Sequence, residues 1–173
     1  MNCPHCAYDN LPGSEQCGHC LADLTQLDRP VAQDRVERSL MEDTVRDLHP
    51  TPAITLPPTA SVQQALDLML QHQIGAIPIV DGGDVLVGII TERDLLTNAS
   101  DPSAESAPLS VGDLMTSNPT TVRASDSLAF ALHQMDAGGY RHLPVLENGQ
   151  LLGIISVRDM LRRIMRACKT RGW

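Results

Sequence analysis

The sequence predicts an α+β fold: two copies of one β-α-β-β-α unit packed with pseudo-two-fold symmetry, preceded by a small cysteine-rich ribbon. Three observations predict it. The second half of the chain repeats itself, helical and strand periodicities alternate in the same order in both copies, and four of the five cysteines fall within the first twenty residues.

The repeat is the strongest of these. Residues 61–78 lie over 127–144 at an offset of 66, and 88–94 lie over 153–159 at an offset of 65. Upstream, Val45, Arg46, Asp47 and Leu48 match Val111, Gly112, Asp113 and Leu114. A unit that cannot bury its apolar face alone is covered by its neighbour. A pair related by a pseudo-two-fold axis also builds two related clefts at its seam, so a ligand-binding module is the first functional expectation.

Composition sets the bounds. A chain of 173 residues suits one compact domain with a small appendage. With one Phe, one Trp and two Tyr, the core must be aliphatic. The longest apolar runs are far below a membrane span. No basic start followed by an apolar stretch marks a secretory signal, so the expectation is a cytoplasmic protein. A formal charge of −8 argues against general affinity for nucleic acid, which rests on neutralising phosphates. Arg158, Arg162, Arg163, Arg166, Lys169 and Arg171 crowd the C-terminus with Asp159 as the one acid among them. That cluster reads as a solvated helix end complementing the helix dipole, or as a contact for an acidic partner or nucleic acid.

Cys3-x2-Cys6 and Cys17-x2-Cys20 each place two thiolates on one tight turn, and two such turns close a tetrahedral cage around Zn²⁺. Two pairs, without a signal peptide or a thioredoxin-like context, point to zinc rather than redox chemistry. Four thiolates complete the coordination, so His5 and His19 are spectators or outer donors and the zinc is structural. So small a stretch has almost no core, and the metal would supply its folding free energy. Its wording resembles the short N-terminal zinc ribbons of many prokaryotic regulatory proteins. Cys168 reads as an ordinary thiol.

Each repeat opens with a short helical turn capped by Thr44 or Ser110. An extended stretch follows, at 53–56 or 120–122. An amphipathic helix comes next, with Val62, Ala65, Leu66, Met69 and Leu70 in one copy and Leu128, Ala131, Leu132 and Met135 in the other. Two short strands joined by Asp81-Gly82-Gly83-Asp84 or Glu147-Asn148-Gly149 form hairpins. A last helix follows Thr91 or Ser156. The boundaries are a ribbon at 1–24, a partly helical linker at 25–43, repeats at 44–100 and 110–166 joined by 101–109, and a basic tail at 167–173. Within the linker, residues 34–41 suit a short helix with Val36 and Leu40 on one face.

The stretches Ile-Gly-Ala-Ile-Pro-Ile-Val-Asp with Leu-Val-Gly-Ile-Ile-Thr-Glu-Arg-Asp-Leu, and Tyr-Arg-His-Leu-Pro-Val-Leu with Leu-Leu-Gly-Ile-Ile-Ser-Val-Arg-Asp-Met, resemble cystathionine-β-synthase (CBS) domains. Together they resemble a tandem CBS pair, the Bateman module, over about residues 44–166. The resemblance implies association through the sheets, a homodimer, and adenosine-containing ligands in the clefts: AMP, ADP, ATP or S-adenosylmethionine.

The residues themselves suggest how such a ligand would sit. Thr91 and Ser156 stand at helix N-termini, where the dipole favours an anion. Asp94 and Asp159, three residues on, can accept from ribose hydroxyls, and Arg93 and Arg158 can neutralise phosphate. A plain helix cap explains one Ser/Thr-x-x-Asp equally well, but its recurrence after Gly-Ile-Ile in both halves favours a site. By the resemblance, the base packs near Ile74, Gly75 and Ala76 in one repeat and Tyr140, Arg141 and His142 in the other. Arg141 and His142 would meet phosphate, although His142 also reads as a solvent-facing strand residue. Asp126 is expected to face the cleft of Thr91 and Asp94, and Ala60 that of Ser156 and Asp159. The latter cleft, credited also with Arg141, His142 and Arg158, is therefore expected to be the better nucleotide site.

Function follows as a regulatory adenosine-nucleotide sensor that signals occupancy to a partner protein on another polypeptide. The alternative is a nucleic-acid-binding regulator using the ribbon and basic C-terminus, against which acidity and scarce aromatics count. No Ser/His/Asp or Cys/His arrangement suggests an enzyme.

Overall fold

The structure, a computed structural model, describes residues 1–25, 32, 34–98 and 110–169. The inter-repeat linker 101–109, linker residues 26–31 and 33, and tail residues 170–173 with Arg171 lie outside the described residues. The chain divides into two units, Met1–Asp34 and Arg35–Trp173.

The first unit is itself a two-fold repeat with an offset of fourteen residues. Bridges Asn2 to Asp9 and Gln16 to Asp23 each close a knuckle. Ala7 and Leu21 follow the second cysteine of each pair with positive φ, 61° and 57°, which turns the chain back on itself. Cys3, Cys17 and Leu24 are buried between the knuckles.

The second unit contains α1 (Arg35–Glu42), a 3₁₀ turn (Val45–Leu48), α2 (Val62–His72), β1 (Ala76–Val80), β2 (Leu86–Thr91) and α3 (Glu92–Asn98). After the undescribed stretch come α4 (Val111–Leu114), β3 (Thr116–Ser117), β4 (Val122–Arg123), α5 (Leu128–Gly138), β5 (His142–Glu147), β6 (Gln150–Ser156) and α6 (Val157–Lys169). Ser61 caps α2 by accepting from the Gln64 amide at 3.2 Å, and Ser127 caps α5 by accepting from that of Phe130 at 3.2 Å. The hairpins β1–β2 and β5–β6 pair antiparallel in matching register, Ala76 opposite Thr91 and His142 opposite Ser156.

The two repeats exchange their opening segments, which the repeat pattern alone did not reveal. Val45 is buried in the core of the second repeat, with Leu128, Leu143, Val145, Ile155 and Met160. Val111 is buried in that of the first, with Ala65, Met69, Ile77, Ile79 and Ile90. The backbone repeats the trade: Val45 N donates to Asp126 O at 2.8 Å, and Val111 N to Ala60 O at 2.8 Å. β3, from the second repeat, pairs antiparallel with β2 of the first, and Thr51 bridges Ile154 in return. Each repeat therefore completes its core with a piece of the other.

Two expectations need correction. The stretch 53–56 forms no strand, only a parallel bridge from Leu56 to Ile79, because Pro50, Pro52, Pro57 and Pro58 around it offer no N–H to a ladder. The helix expected inside the linker belongs to the second unit: α1 packs against α5 and α6, Leu40 reaches the second core, and Arg163 Nε donates to Asp43 at 3.0 Å. On the amphipathic helices, Met69 and Met135 are buried and Leu132 partly buried within their own repeats, while Leu66 and Leu70 stay exposed.

Candidate functional site

The same local bond recurs four times in the second unit. In Thr44–Asp47, Thr91–Asp94, Ser110–Asp113 and Ser156–Asp159, one carboxylate oxygen accepts both the backbone N–H and the hydroxyl of the cap, at 2.6–2.9 Å. These bonds hold the Asp47 and Asp113 carboxyls below the usual carboxylate range. The geometry of Asp94 and Asp159 is thus that of a helix cap, and what makes a site is what faces it. α3 has only seven residues, so the dipole expected to attract an anion there is short.

One such cap faces a cavity. A space of about 420 Å³ at the seam is lined by Gly75, Thr91, Glu92, Arg93 and Asp94 of the first repeat and by Tyr140, Arg141 and His142 of the second. That size lies within the range of small-molecule sites. β3 and the start of the loop after it, residues 116–120, form another wall. β2 and β5 bring the two sets together: Thr91 ends β2, and His142 opens β5 just after the α5 C-cap Gly139, whose φ of 64° turns the chain. Gly138 is needed beside it, since a Cβ there would lie 1.9 Å from the Tyr140 ring. Tyr140 stays 40% exposed, an aromatic face at the cavity. Arg93 and Arg141 supply two exposed cations, opposed by Glu92 and Asp94. Burial lowers the pKa of His142 below its ordinary 6.5; Glu92 and Asp159 pull it up, while Arg158 and Arg141 push it down.

Ile74 and Ala76 do not line this cavity: Ile74 packs against the first core and Ala76 is buried in β1. Ser156, Arg158 and Asp159 do not line this cavity either, and Arg162 Nη1 donates to the second oxygen of Asp159 at 3.2 Å. The expected ranking of the clefts rested on placements that the structure corrects. Arg141 and His142 line the cavity of Thr91 and Asp94, and Ser156 does not. Asp126 does not line that cavity; its carboxylate accepts from the Arg123 amide at 2.7 Å, closing the turn that leads into α5. Ala60 is packed in the first core rather than in a cleft. Glu92 and the 116–120 wall escaped sequence reasoning. Glu92 is visible only as the Glu-for-Val difference between Thr-Glu-Arg-Asp and Ser-Val-Arg-Asp, and the wall depends on the crossing of β3 into the other sheet.

In the first unit, the four sulfurs of Cys3, Cys6, Cys17 and Cys20 lie within 4.8 Å of one another. Cys3 to Cys20 and Cys6 to Cys17 are each 3.6 Å apart. A tetrahedron with bonds of about 2.3 Å has sulfur–sulfur edges of roughly 3.8 Å, so the cage fits a zinc-sized ion. The amides of His5 and His19 donate to Cys3 and Cys17 at 3.4 Å, and the Asn10 side-chain amide to Cys17 at 3.6 Å. Burial opposes ionisation of Cys17, but the Cys20 and His19 amides, Asn10 and Cys6 bring its pKa down to about 6. The Tyr8 backbone favours the Cys6 thiolate, yet desolvation and the three other sulfurs push that thiol up to about 12. The Cys17 thiolate forms readily while Cys6 and Cys20 resist ionisation, a resistance that a divalent cation would overcome. Both histidine rings stand outside the cluster, His19 stacked on Tyr8 with centroids 5.6 Å apart.

Among the described residues, no helix is long and apolar enough to cross a membrane. Two of the C-terminal cations are engaged within the chain, Arg162 by Asp159 and Arg163 by Asp43.

Comparison with known proteins gives a consistent result. The model of the CBS domain matches residues 45–101 and 111–166. The 17.7 kDa protein in the bps2 3′ region of Acidianus ambivalens is 32% identical over 126 residues, covering 72% of this chain and 75% of that protein. YhcV of Bacillus subtilis is 31% identical over 121 residues, covering 68% and 82%. CBSCBSPB1 of Arabidopsis thaliana is 30% identical over 132 residues, 74% of this chain, and the chain spans only 24% of that longer protein. Among solved structures, CBSX2 in complex with AMP is 29% identical with a TM-score of 0.64, covering 71% of this chain and 97% of its own. The CBS domain pair of MJ0100, in complex with 5′-methylthioadenosine and S-adenosyl-L-methionine, is 26% identical with a TM-score of 0.63, covering 69% and 93%. With both matched stretches falling on the two interlocked repeats, the chain belongs to the CBS-domain family and carries two copies of that domain.

Proposed function

We propose that this protein is a regulatory binding module for an adenosine-containing ligand, with the cleft of Thr91, Arg93 and Asp94 as its principal site. The observation that carries the reading is the cavity of about 420 Å³, where Tyr140, Arg141 and His142 of one repeat face that triplet of the other. In this reading Tyr140 lies along the base, Arg93 and Arg141 neutralise phosphate, and Asp94 accepts from the ribose. The second cleft, with Ser156, Arg158 and Asp159, is the weaker site in this reading, because the first repeat has Gly75 and Ala76 where the second has Arg141 and His142. The ligands carried by CBSX2 and MJ0100 support the adenosine class. Occupancy is signalled to a partner protein. The exchanged openings couple the repeats, so a ligand wedged at the seam acts on both cores at once. Zn²⁺ in the four-cysteine cage gives the N-terminal unit its fold.

Calorimetric titration with AMP, ADP, ATP and S-adenosylmethionine tests the reading. At least one should bind, and Asp94→Ala should weaken it by about 1.5–3 kcal/mol, roughly ten- to hundredfold, the loss of a charged hydrogen-bond partner. Asp159→Ala should cost less. The opposite order would restore the second cleft as the better site, and no binding across the panel would reduce the repeats to a structural unit.

A further inference from the structure

We propose that His142 makes this cleft select phosphorylated over unphosphorylated adenosine ligands, by taking up a proton as the ligand's phosphate enters. The proposal rests on the adenosine-ligand reading of the cleft and specifies what that site distinguishes.

The geometry places one titratable ring at the seam itself. His142 opens β5 opposite Ser156 and lines the cavity. A Cβ on Gly75 would lie 3.2 Å from His142 Cε1 and 3.2 Å from the Glu92 carboxyl carbon. The bare glycine is what lets ring and carboxylate approach from opposite repeats. The charged groups that face the ring are Glu92 from α3, Asp159 and Arg158 from α6, and Arg141 on its own strand. Burial and the two arginines outweigh the two acids, so the ring is neutral at pH 7 before ligand arrives. It is then a cation held in reserve. A phosphate dianion set between Arg93 and Arg141 cancels the repulsion from Arg141 and adds attraction, and the ring protonates. Uncharged adenosine brings no such field. The position equivalent to His142 in the first repeat is Ala76, so the second cleft has no counterpart.

Linkage fixes the sign: a site that gains a proton on binding holds its ligand more tightly as pH falls. The test is calorimetry of the full chain with AMP and with adenosine, from pH 5.5 to 7.5, in two buffers of different ionisation enthalpy. AMP affinity should fall as pH rises, by at most about tenfold per pH unit for one proton, while adenosine affinity stays flat. The phosphate itself titrates near pH 6, so the readout is the difference between wild type and His142→Gln. Wild type should take up more protons, and the substitution should narrow the preference for AMP over adenosine. The His142 ring resonances, followed by NMR in wild type with and without AMP, give the same answer without a substitution, as a raised titration midpoint in the complex. If both ligands bind but proton uptake is equal in the two proteins and the midpoint does not move, the proposal is overturned and the site stands. If neither ligand binds, the reading of the cleft fails and the proposal with it.

Discussion

A single methyl group at position 153 probes the exchange between the repeats. A Cβ there would lie 2.4 Å from the carbonyl oxygen of Thr51, backbone that cannot step aside while it bridges Ile154. Gly153→Ala should cost about 1–3 kcal/mol, the range for overpacking, read as a lowered denaturation midpoint. At Gly88, the equivalent position, the methyl would meet the Met115 side chain instead, and a flexible thioether yields more cheaply. Gly82→Ala meets nothing within 4 Å and should stay within about 0.5 kcal/mol of wild type. Equal losses at 82 and 153 would contradict the exchange. His142 adds a pH dependence. Its pKa is lowered in the fold, so the neutral ring is the stabilised form. The stability it contributes is full above about 6.5 and is lost as pH falls toward the lowered value, without ligand. Chemical denaturation at pH 7.5 and 5.5 should show the decline, reduced in His142→Gln.

At the scale of elements, the N-terminal knuckles and the repeats have separate cores. The purified protein should carry about one zinc per chain by elemental analysis. A chelator should then unfold the ribbon while the repeats keep their circular dichroism, because Leu24 and the cysteines cannot hold two knuckles together without the ion. Zinc-free, reduced protein with an intact ribbon would refute the metal assignment. α1 is the other informative element. Its Asp43 accepts from Arg163 of α6, and Leu40 packs on the second core. Arg163→Ala should therefore cost about 1 kcal/mol or less, since both groups are about a quarter to a third exposed and solvent weakens the pair.

At the scale of the whole molecule, an apolar surface remains after both cores are filled. Leu66 and Leu70 on α2, Phe130 on α5, and Leu161 and Met165 on α6 are all exposed, Leu70 at 77%. A homodimer with two-fold symmetry would cover part of that surface. Light scattering at high micromolar concentration should give twice the 18.7 kDa chain mass, and Leu70→Glu should shift it toward one. A monomeric mass for the wild type, with and without AMP, would rule the dimer out.

The sequence by itself determined the repeat, its hairpins, its caps and its cysteine cage, because each is written in local spacing: turn residues between short apolar runs, helical periodicity, Ser or Thr before a helix, and Cys-x2-Cys. The tertiary structure alone decided which repeat owns which piece. Val45 and Val111 look like the first residues of their own copies, yet each is buried in the other, since an apolar side chain records that it will be buried and not where. The same limit governed the site. Thr91, Asp94, Ser156 and Asp159 were legible as two caps, and Asp126 and Ala60 suggested a ranking of their clefts, but only the tertiary structure decided that Tyr140, Arg141 and His142 converge on the cap of Thr91. Asp126 was misplaced for a related reason: a carboxylate that looked aimed at a cleft was satisfied by an amide three residues away, and a hydrogen bond made within a turn leaves no trace in the spacing of a repeat.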